Sequence, residues 1–121
     1  MGVPARQRLR KQARFLKVRS DGRRVHCGPF IFQCRPAEEG AAPKRLFGVI
    51  ASRRVGNAVK RNYGKRVFRE LFRLHQEALP PGSETVVVLR AGFDRCPFSE
   101  LEARFLDACG KVSGGGKGGP R

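Results

Sequence analysis

The chain has 121 residues, with 26 Lys and Arg against 10 Asp and Glu, a formal net charge of +16 and 40% apolar residues. That is the length of one domain with a modest core, and the charge points to nucleic acid as the partner. A membrane role is not expected, because no apolar run could span a bilayer and a surface-bound protein would need an exposed apolar face as well.

The first residues, MGVPARQRLRKQARFLKV, contain no apolar segment of a secretory signal, and Arg6 breaks the myristoylation pattern after Gly2. Residues 1–7 are expected to be a mobile basic terminus. From Leu9 to Ser20 the pattern predicts a short basic helix. Leu9, Ala13 and Leu16 share a face, Phe15 and Val18 lie beside it, and Gly22 follows as a stop. Phe15 has two readings, a core aromatic or a stacking platform for a base.

Residues 24–35 read as extended, with Phe30, Phe32 and Cys34 alternating with Ile31, Gln33 and Arg35. Pro29 predicts a bend or an edge position there. PAEEGAAP, residues 36–43, reads as a hairpin-like loop. LFGVIA, residues 46–51, reads as a strand covered on both faces, with Gly48 allowing a close approach.

The next stretch, SRRVGNAVKRNYGKRVFRELFR, is the most informative in the chain. Asn57 suits a helix N-cap. At 100° per residue, Val59, Tyr63, Val67, Leu71 and Leu74 fall on one side. Arg61, Lys65, Arg69 and Arg73 recur on the other, flanked by Asn62 and Arg66. Like charges four residues apart repel, and Lys60 and Arg61 oppose the helix dipole. A ridge that works against helix stability implies an anionic partner. Glu70 is expected to pair with Arg66 or Arg73.

The helix should end before Pro80-Pro81-Gly82, and residues 84–90 follow as a second buried strand, completing a βαβ unit with parallel strands. A last helix opens at Pro97, with Ser99 and Glu102 spaced as a capping box. Leu101, Phe105, Leu106 and Ala108 form its apolar side, and Gly110 ends it. The Gly-rich tail, residues 111–121, is expected to be disordered, which leaves residues 8–110 as a single RNA-binding domain. The order α–β–β–α–β–α gives an α/β (α+β) two-layer sandwich on a small mixed sheet.

Cys27, Cys34, Cys96 and Cys109 form no C-x-x-C pair, so with His26 and His75 they predict no metal site, only free thiols in a reducing cytoplasm. The acids are scattered, and metal-assisted hydrolysis needs converging carboxylates. A protein-only nuclease, with a His26–His75 acid–base pair at most, is therefore not expected. A ribosomal or other structural RNA-binding protein explains the charge equally well.

The segment Gly56-Asn57-Ala58-Val59-x-Arg61-Asn62-x-x-Lys65-Arg66-x-x-Arg69-Glu70 resembles the signature of the protein subunit of bacterial ribonuclease P. The basic first helix with Phe15, the strand FIFQ, and the strands LFGVIASRR and VVVLRA fall in that family's order, so the resemblance covers residues 8–110. It implies a left-handed βαβ crossover, against the usual rule. It also implies a subunit without a catalytic residue of its own, which joins a catalytic RNA that binds Mg²⁺ and removes the 5′ leader of precursor tRNA. The protein itself would bind no cofactor or metal and is not expected to oligomerise. By the motif, Arg53, Arg54, Lys60, Arg61, Asn62, Lys65, Arg66 and Arg69 would face the catalytic RNA, with Arg73 continuing the ridge. Phe15, Phe32 and Gln33, with Arg14 and Arg19, would line or support the leader cleft. Six neutralised phosphates would give a salt slope of about −4 on single strands.

The chain departs from the pattern at Tyr63, where Arg is usual, and at Gly64, where an aliphatic residue is usual and where glycine costs about 1 kcal/mol of helix propensity. Arg19 and Gln33 stand where rings often occur, so electrostatics should outweigh stacking in the cleft. The high charge predicts that anions favour the folded state.

Overall fold

The computed structural model describes residues 5–9, 11–37, 40 and 42–115. Four strands form one sheet: β1 (Arg23–His26), β2 (Phe30–Arg35), β3 (Leu46–Ile50) and β4 (Glu84–Leu89). Three α-helices accompany them: α1 (Gln12–Asp21), α2 (Ala58–His75) and α3 (Phe98–Gly115). The sheet order is β1-β2-β4-β3. β4 pairs antiparallel with β2 and parallel with β3, so β3–α2–β4 is the expected βαβ unit.

The alternation of β2 decides the layers. Phe30 and Phe32 join Phe47, Val87 and Leu89 on one face, against Val67, Phe68, Leu71 and Phe72 of α2 and Leu101, Phe105, Ala108 and Cys109 of α3. The rings interlock. Phe47 stacks on Phe72 at 4.6 Å, Phe30 meets Phe68 edge-on at 4.7 Å, and Phe32 meets Phe105 edge-on at 5.5 Å. On the opposite face α1 lays Phe15 and Val18 against β3 and β4, in a smaller cluster with Leu9 and Val86. Gly48 makes this possible, because a Cβ there would lie 2.5 Å from the Phe15 ring.

Several expectations are corrected. The stretch 24–35 is two strands, folded at Cys27-Gly28-Pro29 into an antiparallel hairpin, with Gly28 at φ +86°. The loop 36–45 is not a hairpin, since β4 lies between β2 and β3. Its two acids, Glu38 and Glu39, lie outside the described residues. The first helix begins at Gln12, not Leu9. Leu9 precedes it in extended chain, donating its N–H to the Phe47 carbonyl at 3.0 Å, so it shares no helical phase with Leu16, which is 59% exposed.

The buried stripe of α2 is rotated from the expected one. Gly64, Phe68 and Phe72 are buried, whereas Val59 is 76% and Leu74 48% exposed. Two phenyl groups remove more area from water than the Val and Leu they displace, so they set the helix rotation. Gly64 fits this rotation, because a Cβ would sit 2.4 Å from Leu89 and 2.7 Å from Phe93. Tyr63 packs at the edge of the core as expected, its ring 6.1 Å from that of Phe93.

In α3, Gly110 is internal rather than terminal, and the helix continues to Gly115 with Val112 buried. Residues 116–121 of the expected tail lie outside the described residues. The capping box does not form. Glu102 instead reaches His75 of α2 at 2.7 Å, a helix-to-helix contact that sequence spacing could not show. Near the N-terminus, Ala5–Gln7 form a 3₁₀ turn, and Gln7 donates to the Arg45 carbonyl and to Gln76.

Candidate nucleic-acid interface

The start of α2 is built to present cations. β3 runs into a 3₁₀ turn, Arg53–Val55, which buries Val55 and leaves Arg53 and Arg54 exposed. Gly56 follows at φ +147°, a conformation that favours glycine. Asn57 then caps the helix, its Oδ1 accepting the Lys60 N–H at 2.9 Å. Arg61 folds back and donates to the Gly56 carbonyl at 2.7 Å, fixing its guanidinium beside the helix N-terminus, where the dipole itself favours an anion.

Because the core stripe is rotated, the ridge borders the core instead of opposing it. Arg61, Lys65 and Arg69 are half-buried, and Asn62 and Arg66 are exposed. Burial, and then the nearby Arg8 cation, lowers the Arg69 pKa, the signature of a cation short of a counter-ion. Arg8 reaches this place through its bridge to Phe47 of β3. Lys60 lies 3.4 Å from Asp94, and Arg73 makes a two-point pair with Glu70 at 2.5 and 3.0 Å. The hydrogen bond from Arg73 holds the Glu70 carboxyl below its usual pKa. Among the described residues, Arg53, Arg54, Asn62, Lys65, Arg66 and Arg69 keep their side-chain donors for an external partner.

A second feature lies along α1. The register sets three rows across the sheet on that face: Ile50–Val88–Ile31–His26, Gly48–Val86–Gln33–Arg24 and Leu46–Glu84–Arg35. Helix α1 covers the middle row. Gln33 is 1% exposed. Its amide donates to the carbonyls of Val18 and Arg19, and its Oε1 accepts from Arg19 Nε at 2.6 Å. The row Ile50–Val88–Ile31 stays half-buried, an apolar floor open beside α1. Phe15, seated on Gly48, and Arg19, held by buried Gln33, are half-buried beside this open row, and Gln33 supports the wall from beneath α1. The β3 end of this groove leads directly to Arg53 and Arg54.

Two expected members do not belong to that groove. Phe32 is fully buried on the other face of the sheet against Phe105, because neighbouring residues of a strand point to opposite sides. Arg14 lies on the opposite flank of α1, bound to Glu84. The residues missed are Ile31, Val88 and Ile50. The signal was present for Ile31, whose alternation with Phe30 and Phe32 already placed it with Gln33.

The thiols are placed for packing. Burial pushes Cys27 up to about 11 and Cys109 to about 12, and raises Cys34. The described residues contain no group of three or more His, Cys, Asp or Glu able to hold a metal ion. No described helix is long and apolar enough to cross a membrane.

The family model for Ribonuclease P matches residues 3–113 of this chain. The chain is 41% identical over 87 residues to the ribonuclease P protein component of Oleidesulfovibrio alaskensis, covering 72% of this chain and 69% of that protein. It is 30% identical over 113 residues to the ribonuclease P protein component of Thermotoga maritima, covering 90% and 94%. The solved structure of the ribonuclease P protein from Thermotoga maritima superposes with a TM-score of 0.73 at 27% identity, covering 87% of this chain and 96% of that one.

Proposed function

The chain belongs to the ribonuclease P protein family, and from that premise we propose a division of labour between this protein and a catalytic RNA. As a ribonuclease P protein component it is an RNA-binding part of a tRNA-processing ribonucleoprotein. The α2 ridge and the Arg53–Arg54 turn hold the catalytic RNA, and the groove along α1 holds the single-stranded 5′ leader of precursor tRNA. Hydrolysis of the phosphodiester bond belongs to the RNA subunit with its Mg²⁺, and the complex works in the cytoplasm.

The observation that carries this reading is the adjacency of two unlike surfaces. One is a rigid helix offering cations without counter-ions, which suits phosphates of a folded RNA irrespective of sequence. The other is an apolar floor walled by Phe15 and Arg19, which suits unpaired bases. Carboxylates that could gather a metal are instead dispersed onto cations, as in Glu70 with Arg73, Glu84 with Arg35, Glu100 with Arg104 and Asp107 with Lys111. A ribosomal or other structural RNA-binding role is not favoured, since the family match spans nearly all of the domain.

The test is precursor-tRNA cleavage at low, near-physiological Mg²⁺ with the protein alone, a bacterial ribonuclease P RNA alone, and both. Cleavage at the mature 5′ end only in the mixture is expected. Cleavage by the protein alone would move the chemistry into this chain. Tight RNA binding without stimulation would return the structural role.

A further inference from the structure

A cavity of about 590 Å³ lies on the flank of α1 away from the leader groove. Arg14 and Lys17 from α1, Arg35 from β2, Lys44 before β3, Glu84 from β4 and Leu46 line it. Its core is a buried ionic knot. The Glu84 side chain is 7% exposed and that of Arg35 12%, and they meet at 3.0 Å, while the second Glu84 oxygen holds Arg14. A buried carboxylate needs such a counter-ion, and Arg35 alone supplies it. Arg14 is the addition. Its side chain is 52% exposed on the cavity wall, and the carboxylate fixes its guanidinium in one orientation.

The free cations point to an anion. Arg35 is engaged by Glu84 and by Asp21 at 4.0 Å, and Arg14 by Glu84, whereas Lys17 and Lys44 have no side-chain partner among the described residues. Beside them, Leu46 and Ala13 provide an apolar wall, and the volume lies in the range of small-molecule sites.

We propose that this cavity is a one-nucleotide site for single-stranded RNA, taking a phosphate on Lys17, Lys44 and Arg14 and a base against Leu46 and Ala13. It rests on the RNA-binding reading above and adds a contact separate from both the α2 ridge and the leader groove. α1 then has a nucleic-acid surface on each flank.

The experiment titrates the full-length chain with a labelled single strand of about ten nucleotides over a range of salt. Three variants are compared: Lys17→Ala with Lys44→Ala, Ala13→Leu, and a charge-matched control, Arg95→Ala with Lys111→Ala. The first should reduce the salt slope by roughly 0.7, the one phosphate contact of the site, against little change in the control. Ala13→Leu narrows the cavity at constant charge and keeps good helix propensity. It should weaken binding about fivefold or more, the lower end of what one stacked base contributes. Circular dichroism checks that all three stay folded. Cytidine monophosphate should compete with the strand better than inorganic phosphate does. Equal competition would reduce the cavity to a bare anion site and overturn the nucleotide assignment. So would a response of both cavity variants no larger than the control's. A chain that binds the strand through this cavity yet fails to stimulate precursor-tRNA cleavage would refute the subunit reading and leave this site standing.

Discussion

Gly48→Ala tests how α1 is seated on the sheet. Gly48 does not use a positive φ, so alanine meets no backbone strain there. Removing glycine should by itself stabilise by about 0.4–1 kcal/mol through the unfolded chain. The new methyl, however, would lie 2.5 and 2.6 Å from two atoms of the Phe15 ring and 3.2 Å from Leu9. Phe15 is held between α1 and β3 and cannot yield without moving the helix. Overpacking of this kind costs about 1–3 kcal/mol, so the net expectation is a loss of about 1–2 kcal/mol. Urea denaturation with sulfate present should show a lower midpoint at unchanged slope. The decisive assay is a double-mutant cycle. In a Phe15→Ala background the methyl fills the space left by the ring, and the penalty should vanish, giving a coupling of about 1 kcal/mol or more. Strictly additive effects would refute the contact as the cause. The same substitution should weaken binding of a leader strand, because the displaced ring is a wall of the groove.

Further outcomes follow from the geometry. Lys65→Ala or Arg69→Ala should each lower the salt slope for RNA binding by about 0.7–0.9 with the fold intact. Arg61→Ala should in addition lose about 0.5–1.5 kcal/mol of stability, because Arg61 also donates to the Gly56 carbonyl; an unchanged unfolding curve would contradict that bond. Phe32→Ala should cost about 3–5 kcal/mol by opening a core cavity, whereas Ile31→Ser should spare most stability and weaken leader binding. If the Phe32 variant, still folded at low temperature, loses leader affinity selectively, the two faces of β2 have been misread. Burial pushes the thiols of Cys27 and Cys109 up from the ordinary 9.0 to about 11 and about 12, so both stay neutral. Their contribution to stability is therefore full below pH 9 and is lost as pH rises through 11–12. A thiol reagent at pH 8 should modify half-exposed Cys96 well before the three buried cysteines, and equal rates would show that the core opens readily.

Local signals were legible wherever their partners lie within a few residues. Asn57 caps α2 through the N–H of Lys60, and Glu70 pairs with Arg73, as the sequence indicates. The order of strand, helix and strand around the ridge is equally readable, because periodicity and turn residues are local properties of the chain. The family signature carried the functional assignment, since its residue types at fixed spacing are those a helix needs to meet phosphates.

What the chain alone could not decide depended on contacts distant in sequence. Val59, Tyr63 and Leu74 fit an apolar stripe as well as Phe68 and Phe72 do, and only the sheet beneath, with Leu89 and Phe93 against Gly64, selects the rotation that half-buries the ridge. Glu102 could cap its own helix until His75 of α2 came within 2.7 Å. Phe32 and Ile31 are neighbours of equal apolarity, and which one faces α1 is settled by β2 pairing with β4 under Val18 and Arg19. Sequence periodicity specifies that an element has two faces. Which face meets which neighbour is a competition among buried areas and close contacts, and only the folded chain resolves it.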